Sequence, residues 1–199
     1  WQSEEILKAY KNNGDLYGAH QSLKQKLIDE VYKRNGVKLL LDSPIIGFAK
    51  RAASYKRGYL IFKDKSVIEP LLRERKLQII FSGKAHPNDF SGKEIVKNMY
   101  ELSKRYPESV VFLQNYDMRI GQLMTQGCDI WLNNPIRPLE ACGTSGMKAA
   151  MNGVLNLAVL DGWWPEGCVH GVNGWQIGDG YEGPDCDERD SKALYKCLL

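Results

Sequence analysis

Short apolar runs set between stretches of helical spacing restrict what this chain can fold into more than any other feature. Residues 44–49, 77–82, 109–114, 129–132 and 154–160 are rich in Ile, Val, Leu and Phe, without the strict alternation of a sheet wetted on one face. Between them the spacing predicts helices. Residues 15–34 carry Leu16, Ala19, Leu23, Leu27 and Val31 on one stripe and stop at Asn35-Gly36, a helix-ending pair. Further helices are expected over 54–63, 66–75, 92–105, 118–126 and 144–151, the last ended by Asn152-Gly153. Residues 174–177 suit an edge strand. Strands buried on both faces and separated by amphipathic helices require a parallel sheet covered on both sides and joined by right-handed crossovers. The expected fold class is therefore α/β, a Rossmann-like doubly wound sheet.

A chain of 199 residues supports one sizeable core, so we expect residues 1–14 to lead into one domain over 15–199. The start at Trp1 and the stop at Leu199 inside a lysine-bearing helical pattern read as cut ends, and the chain as a fragment. Lys and Arg number 27 against 24 for Asp and Glu, too small a surplus for nucleic-acid binding by bulk charge; any anion site has to be local. No apolar stretch reaches membrane-spanning length. Cys128, Cys142, Cys168, Cys186 and Cys197 form no CxxC pair and read as reduced thiols in a cytoplasmic protein. His86 and His170 have no neighbour at metal-ligand spacing, so no metal is expected.

In doubly wound sheets ligands bind beyond the carboxyl ends of the strands. There this sequence places its polar oddities: Lys50-Arg51, Gly83-Lys84-Ala85-His86, Asn115-Tyr116, Glu140 with a glycine loop, and Asp161-Gly162. The loop is Glu140-Ala141-Cys142-Gly143-Thr144-Ser145-Gly146-Met147-Lys148. Small residues running into a helix present free backbone N–H groups to an anion. On spacing alone two readings stand: a phosphate or sugar site, or an ordinary helix capped by Thr144 with Lys148 as a solvated charge. The second segment, Lys50-Arg51-Ala52-Ala53-Ser54-Tyr55-Lys56-Arg57, is either a solvated basic face or an anion grip. Asp161-Gly162 reads as a turn.

Glu140 to Lys148, continuing to Asn152-Gly153 and Leu160-Asp161-Gly162, resembles the cofactor segment of the α-glucan (glycogen, maltodextrin and starch) phosphorylases. Phe81-Ser82-Gly83-Lys84-Ala85-His86-Pro87 and Gln114-Asn115-Tyr116 are similar to further motifs of that family. Trp163-Trp164-Pro165-Glu166-Gly167 and Asn173-Gly174-Trp175 resemble its prokaryotic and archaeal branch. The resemblance covers residues 16–177 and implies the C-terminal domain of a two-domain (GT-B) glycosyltransferase. It implies that Lys148 carries pyridoxal phosphate covalently, that Thr144 and Ser145 hold its phosphate with Lys50, and that Tyr116 lines its pocket. It implies that Arg51 and Lys56 grip substrate phosphate, and that Glu140, with Cys142 and Gly143, binds sugar hydroxyls. Cys142 stands where the best-known members have serine, and Ala53 lies near a position where the family often has histidine.

The implied reaction is phosphorolysis of a terminal α-1,4 bond to glucose 1-phosphate with retained configuration. The implied partners are the glucan, inorganic phosphate and a missing N-terminal domain, without which the fragment is expected to be inactive; a homodimer of the full-length enzyme is left open. Two other readings stand beside it. One is a nucleotide-sugar glucosyltransferase resembling glycogen synthase, in which a second glutamate contacts the ribose eight residues after the first; Lys148 holds that place and accepts no hydrogen bond. The other is a non-catalytic phosphate- or sugar-binding domain.

Overall fold

A computed structural model describes residues 1–12 and 14–199. In chain order the elements are α1 (Glu4–Lys11), α2 (Leu16–Asn35), β1 (Ile45–Ala49), two 3-10 turns (Ser54–Lys56 and Leu60–Phe62), α3 (Lys65–Arg73), β2 (Gln78–Ser82), α4 (Phe90–Arg105), β3 (Val110–Leu113), α5 (Met118–Gly127), β4 (Ile130–Asn133), α6 (Thr144–Ala150), β5 (Leu155–Val159), α7 (Trp164–Gly167), β6 (Gly174–Ile177) and α8 (Cys186–Leu198). The six strands form one sheet in the order β3-β2-β1-β4-β5-β6, and every pairing is parallel. This is the doubly wound order of Rossmann sheets, as the apolar runs predict. β6 is the expected edge strand.

Alternation along each strand builds two cores. Ile46, Phe48, Ile79, Phe81, Val110 and Phe112 face the layer with Ile68, Leu72, Met99 and Leu194, which α3, α4 and α8 provide. Ile45, Ala49, Ile80, Val111 and Trp131 face Leu27, Val31, Ile120, Met124 and Ala149, from α2, α5 and α6. Both faces being covered, the strands have no polar side to show, which is why they read as continuous apolar runs.

Aspartates start four of the helices: Asp15, Asp64, Asp89 and Asp117 accept from the N–H of Gly18, Ser66, Gly92 and Ile120 at 2.8–2.9 Å. Such caps are worth about 1 kcal/mol each, and they set where each crossover enters its helix. Gly36, in the left-handed region at φ 69°, closes α2, as its pair with Asn35 predicts.

The helix expected over 54–63 is not formed. Its place is taken by the two 3-10 turns, because Arg57 between them adopts a left-handed backbone (φ 50°) while its side chain is drawn fully into the protein. Helical spacing of Leu60, Ile61 and Phe62 is not needed when all three are buried by the turn itself. Residues 1–14 contain α1, which packs on α2. The short α7 and the loop-bound α8 complete the chain. Among the described residues no helix is long and apolar enough to cross a membrane, no cluster could hold a metal ion, and all five cysteines are free.

Candidate functional site

In this strand order the direction of winding reverses between β1 and β4, and the crevice outside their carboxyl ends is where open α/β sheets bind ligands. Lys50 follows β1 directly. Its amine donates to Asn133 Oδ1 (2.7 Å), at the end of β4, and to Ser145 Oγ (2.8 Å), in the first turn of α6. Trp131 Nε1 donates to the same hydroxyl at 3.2 Å, and the Lys50 amine stands 5.5 Å from the Trp131 ring centre. With two donors already on its oxygen, Ser145 keeps its own O–H to donate outward.

Lys50 has no carboxylate within ion-pair distance among the described residues. Burial pushes its pKa down to about 7, the charge of Lys56 adds to the fall, and Glu140 opposes it. A buried cation met only by neutral acceptors is stabilised by any anion placed against it. The loop beside it provides matching donors: Gly143 adopts φ 76° at the N-cap of α6 and no side chain caps the helix, so that, with the Gly146 N–H turned onto the Gly143 carbonyl (3.0 Å), the N–H groups of Thr144 and Ser145 are the ones left to face an anion. Thr144 is the first helical residue and not the cap.

Lys56 and Glu140 are in direct contact through amine and carboxylate, with side chains only 12% and 11% exposed. Lys56 also lies 4.7 Å from the centre of the Tyr55 ring. The Glu140 loop is stitched to the turn after β5: Glu140 N–H donates to Asp161 Oδ2 (2.9 Å), Gly162 N–H to Asp161 Oδ1 (3.0 Å), and Trp163 N–H to the Cys142 carbonyl (2.9 Å). Asp161, expected only as a turn residue, holds the loop. Cys142 is exposed and lines a groove of about 250 Å³ with Met147, Trp163 and Glu166.

Lys148 lies three residues beyond Ser145, a spacing that shares a helix face. Its amine rests 3.7 Å from the centre of the Trp1 ring. Trp1 is fixed there through its carbonyl, which accepts from Gln126 Nε2 (3.0 Å) and Asn152 Nδ2 (3.2 Å), while Ser3 N–H donates to Asn152 Oδ1 (2.8 Å). The segment before α2 is thus laid across α6.

The structure therefore gathers Lys50, Lys56, Glu140, Gly143, Thr144 and Ser145 at the switch point, with Lys148 on the same short helix. Of the other expected residues, Tyr116 stands apart, and Arg51 borders a small pocket with Lys50 and Lys56. Tyr116 follows β3, two strands from β1, and packs on Gly121 of α5; burial, with the Asp117 charge behind it, raises its pKa. Arg51 is exposed and sits near Asp89, whose carboxyl is held below its ordinary value first by the Gly92 N–H, with the Arg51 charge a lesser cause. A cavity of about 470 Å³ lies elsewhere, between α4 and the ends of β2 and β3. Sequence reasoning missed Trp1, Asn133 and Trp131. The polar pair Asn133-Asn134 closing an apolar run was the available signal.

Lys50 allows a direct test. Its folded pKa of about 7 lies below the ordinary lysine value of 10.5, so between the two the unfolded chain binds more protons. Lys50 therefore makes stability rise with pH across that window, and its burial penalty is fully felt below pH 7. An anion at the site reverses the shift. Binding of sulfate, which has no ionisation near neutrality, is expected to draw close to one proton at pH 8 and to weaken as pH rises. Calorimetry in buffers of different ionisation enthalpy measures the uptake; uptake unchanged in Lys50→Met would assign the proton to another group.

The chain matches the carbohydrate phosphorylase family over residues 4–164. It is 43% identical over 203 residues to a maltodextrin phosphorylase of Thermococcus litoralis, covering 92% of this chain and 24% of that protein. It is 44% identical over 180 residues to a glycogen phosphorylase of Aquifex aeolicus, covering 88% and 26%. A glycogen phosphorylase of Mycobacterium bovis is 46% identical over 160 residues, covering 77% and 18%. The chain spans about a quarter of the length of the first two relatives.

Proposed function

Since this chain belongs to the carbohydrate phosphorylase family, we propose that it is the cofactor- and phosphate-binding domain of an α-1,4-glucan phosphorylase. Residues 15–199 form that domain, and 1–14 are its lead-in. The reaction is attack of inorganic phosphate on the terminal glucosyl residue of a glycogen- or maltodextrin-type glucan, with release of glucose 1-phosphate and retention at the anomeric carbon. The observation that carries the reading is the meeting at one switch point of an anion-seeking lysine, Lys50 on Ser145, with the Lys56–Glu140 pair. One supplies a seat for a fixed phosphate; the other supplies a cation for a second phosphate and a carboxylate for sugar hydroxyls.

The residues present fit pyridoxal phosphate. Lys50 is a buried amine without a carboxylate partner among the described residues, Ser145 has an undonated O–H, and the glycine-started first turn of α6 leaves the Thr144 and Ser145 N–H groups uncapped. Lys50, Thr144 and Ser145 would hold the cofactor phosphate, Lys148 would anchor the aldehyde, and Tyr116 would border the pocket. When bound, the cofactor supplies a phosphate ionising near neutrality, able to exchange a proton with a neighbouring phosphate.

The chain's own groups do the rest. Lys56 and Arg51 neutralise the incoming phosphate, Lys56 as a point charge and Arg51 as a fork. Glu140, freed from Lys56, accepts from the sugar hydroxyls, while Cys142 and Gly143 offer the loop backbone. Fixed charges of this kind act where positive character develops at the anomeric carbon. The remaining sugar contacts come from an N-terminal partner domain, so the 199-residue chain alone is expected to be inactive. The five unpaired cysteines support a reducing, cytoplasmic setting, and a homodimer of the full-length enzyme is compatible with the reading.

The test is phosphorolysis of maltodextrin by the full-length enzyme, read as glucose 1-phosphate. Release that falls about 100-fold or more in Glu140→Gln and in Lys56→Ala is expected, the size typical for removing one transition-state contact. Transfer from a nucleotide sugar, with no phosphorolysis, would move the assignment to a glycogen-synthase-like transferase. Phosphate binding without turnover would leave a non-catalytic binding domain.

A further inference from the structure

Lys56 and Glu140 lie 84 positions apart in the chain, and neither is held by its own element. Lys56 ends a single 3-10 turn, and Glu140 belongs to the long loop between β4 and α6. What joins their backbones is Arg57. Its side chain is fully buried, an unusual fate for arginine unless every donor is matched. Nε donates to the Asn134 carbonyl (2.8 Å), and Nη2 donates to the Pro135 carbonyl (2.7 Å) and to Asp190 Oδ2 (2.6 Å). Nη1 donates to Asp187 Oδ1 (2.9 Å). In return Asn134 Nδ2 donates to the Arg57 carbonyl (3.0 Å), and Ile136 N–H to the Tyr55 carbonyl (2.7 Å).

The turn that carries Lys56 and the loop that leads to Glu140 are thus laced together around one guanidinium, and the two carboxylates that hold it come from α8. Tyr59 O–H also donates to Asp187 Oδ2 (2.7 Å), while farther from Lys56, and independent of Arg57, Asp64 N–H donates to Tyr195 Oη (2.7 Å). α8 lies beyond the residues that match the family.

We propose that α8 is a positioning clasp in which Asp187 and Asp190, through Arg57, set the placement of Lys56 against Glu140. The proposal rests on the phosphate and sugar roles given above to those two residues. Neither aspartate touches a substrate. A buried ion network gives little net stability compared with apolar packing of the same volume; what it fixes is the separation of the segments it joins. A displacement of about 1 Å between reacting groups costs on the order of 100-fold in rate, so loosening the clasp costs function out of proportion to stability.

The experiment uses the full-length enzyme and compares Asp190→Asn, Asp187→Asn and Arg57→Lys with Tyr195→Phe, which weakens the hold of α8 without touching Arg57. Calorimetry gives the Kd of inorganic phosphate, and kinetics give kcat with KM for phosphate and for glucan. The clasp variants are expected to weaken phosphate binding about 10-fold and lower kcat at least as much, with KM for glucan within about twofold of wild type. Tyr195→Phe is expected to lower the Tm while leaving phosphate binding and kcat intact. Asp187 is part-exposed, so Asp187→Asn keeps the test open should the Asp190 variant not fold. Clasp variants that lower the Tm as Tyr195→Phe does, yet bind phosphate and turn over like wild type, overturn the proposal. Lys56→Ala separates the two levels: if it leaves phosphate affinity unchanged, the assigned phosphate site is wrong and the clasp falls with it.

Discussion

Changing Lys148 to alanine in the full-length enzyme is expected to abolish covalent uptake of pyridoxal phosphate and to lower phosphorolysis on the order of 10³-fold or more. Lys148 is on α6 one turn from Ser145, its amine held over the Trp1 ring with no carboxylate in ion-pair reach among the described residues. An indole face attracts the ammonium form by about 0.5–1 kcal/mol at partly exposed sites, much less than a carboxylate would. The amine is therefore held in place at little electrostatic depth and is open to exchange for a covalent partner. Lys148→Arg sharpens the test: it keeps the charge and the cation–π contact but offers no amine for bond formation. Borohydride reduction followed by peptide mapping should find one stoichiometric adduct at Lys148 in the wild type and none in either variant. Full activity in Lys148→Arg, or an adduct spread over other lysines, would remove Lys148 from the chemistry.

The second large effect concerns a residue with no side chain. A Cβ built on Gly83 would stand 2.1 Å from the Lys50 carbonyl oxygen. Backbone pairing continues there past the strands, Lys50 N–H donating to the Ser82 carbonyl (3.2 Å) and Ala52 N–H to the Lys84 carbonyl (3.0 Å). In Gly83→Ala the ends of β1 and β2 have to part. Overpacking of this kind costs about 1–3 kcal/mol, and it displaces the backbone that aims Lys50 at Ser145. The expected result is a lower urea midpoint with unchanged slope, together with at least about 10-fold weaker sulfate binding, since Lys50 is the central cation of the anion seat. Gly36→Ala is the comparison: φ is 69° but nothing lies within 4 Å, so it carries only a backbone cost of roughly 1 kcal/mol and leaves the anion site intact. Equal effects of the two changes would show that crowding at Lys50 is unimportant.

The elements easiest to read in the sequence were those whose surroundings dictate every residue. β1, β2 and β3 are buried along their whole length, and an unbroken apolar run has no other use in a chain with so many helix signals nearby. The caps Asp64 and Asp89 were passed over, and α3 and α4 start at Lys65 and Phe90, slightly ahead of the starts expected at 66 and 92, although the need such a cap meets, an unpaired N–H two or three residues on, is local. The loop from Glu140 to Lys148 could be read locally only as small residues entering a helix; its cofactor reading came from the family resemblance. Residues 54–63 misled, since Arg57 answers to Asp187 and Asp190, 130 and 133 positions away, and a buried guanidinium leaves no periodic trace. Trp1 is similar: only the fold brings it against Lys148.

Local sequence was enough for the layered α/β class, the positions of the strands and the chemistry on offer at their carboxyl ends, because burial and backbone hydrogen bonding act over a few residues and leave apolar runs and helical spacing in the chain. The tertiary structure alone decided that Lys50 spans from β1 to β4, that Lys56 meets Glu140 and not solvent, and that α8 reaches back to hold the turn between them. Those contacts depend on which strands become neighbours when the sheet closes, and a pairing between distant charges leaves both partners looking like ordinary surface residues until the fold takes them out of water.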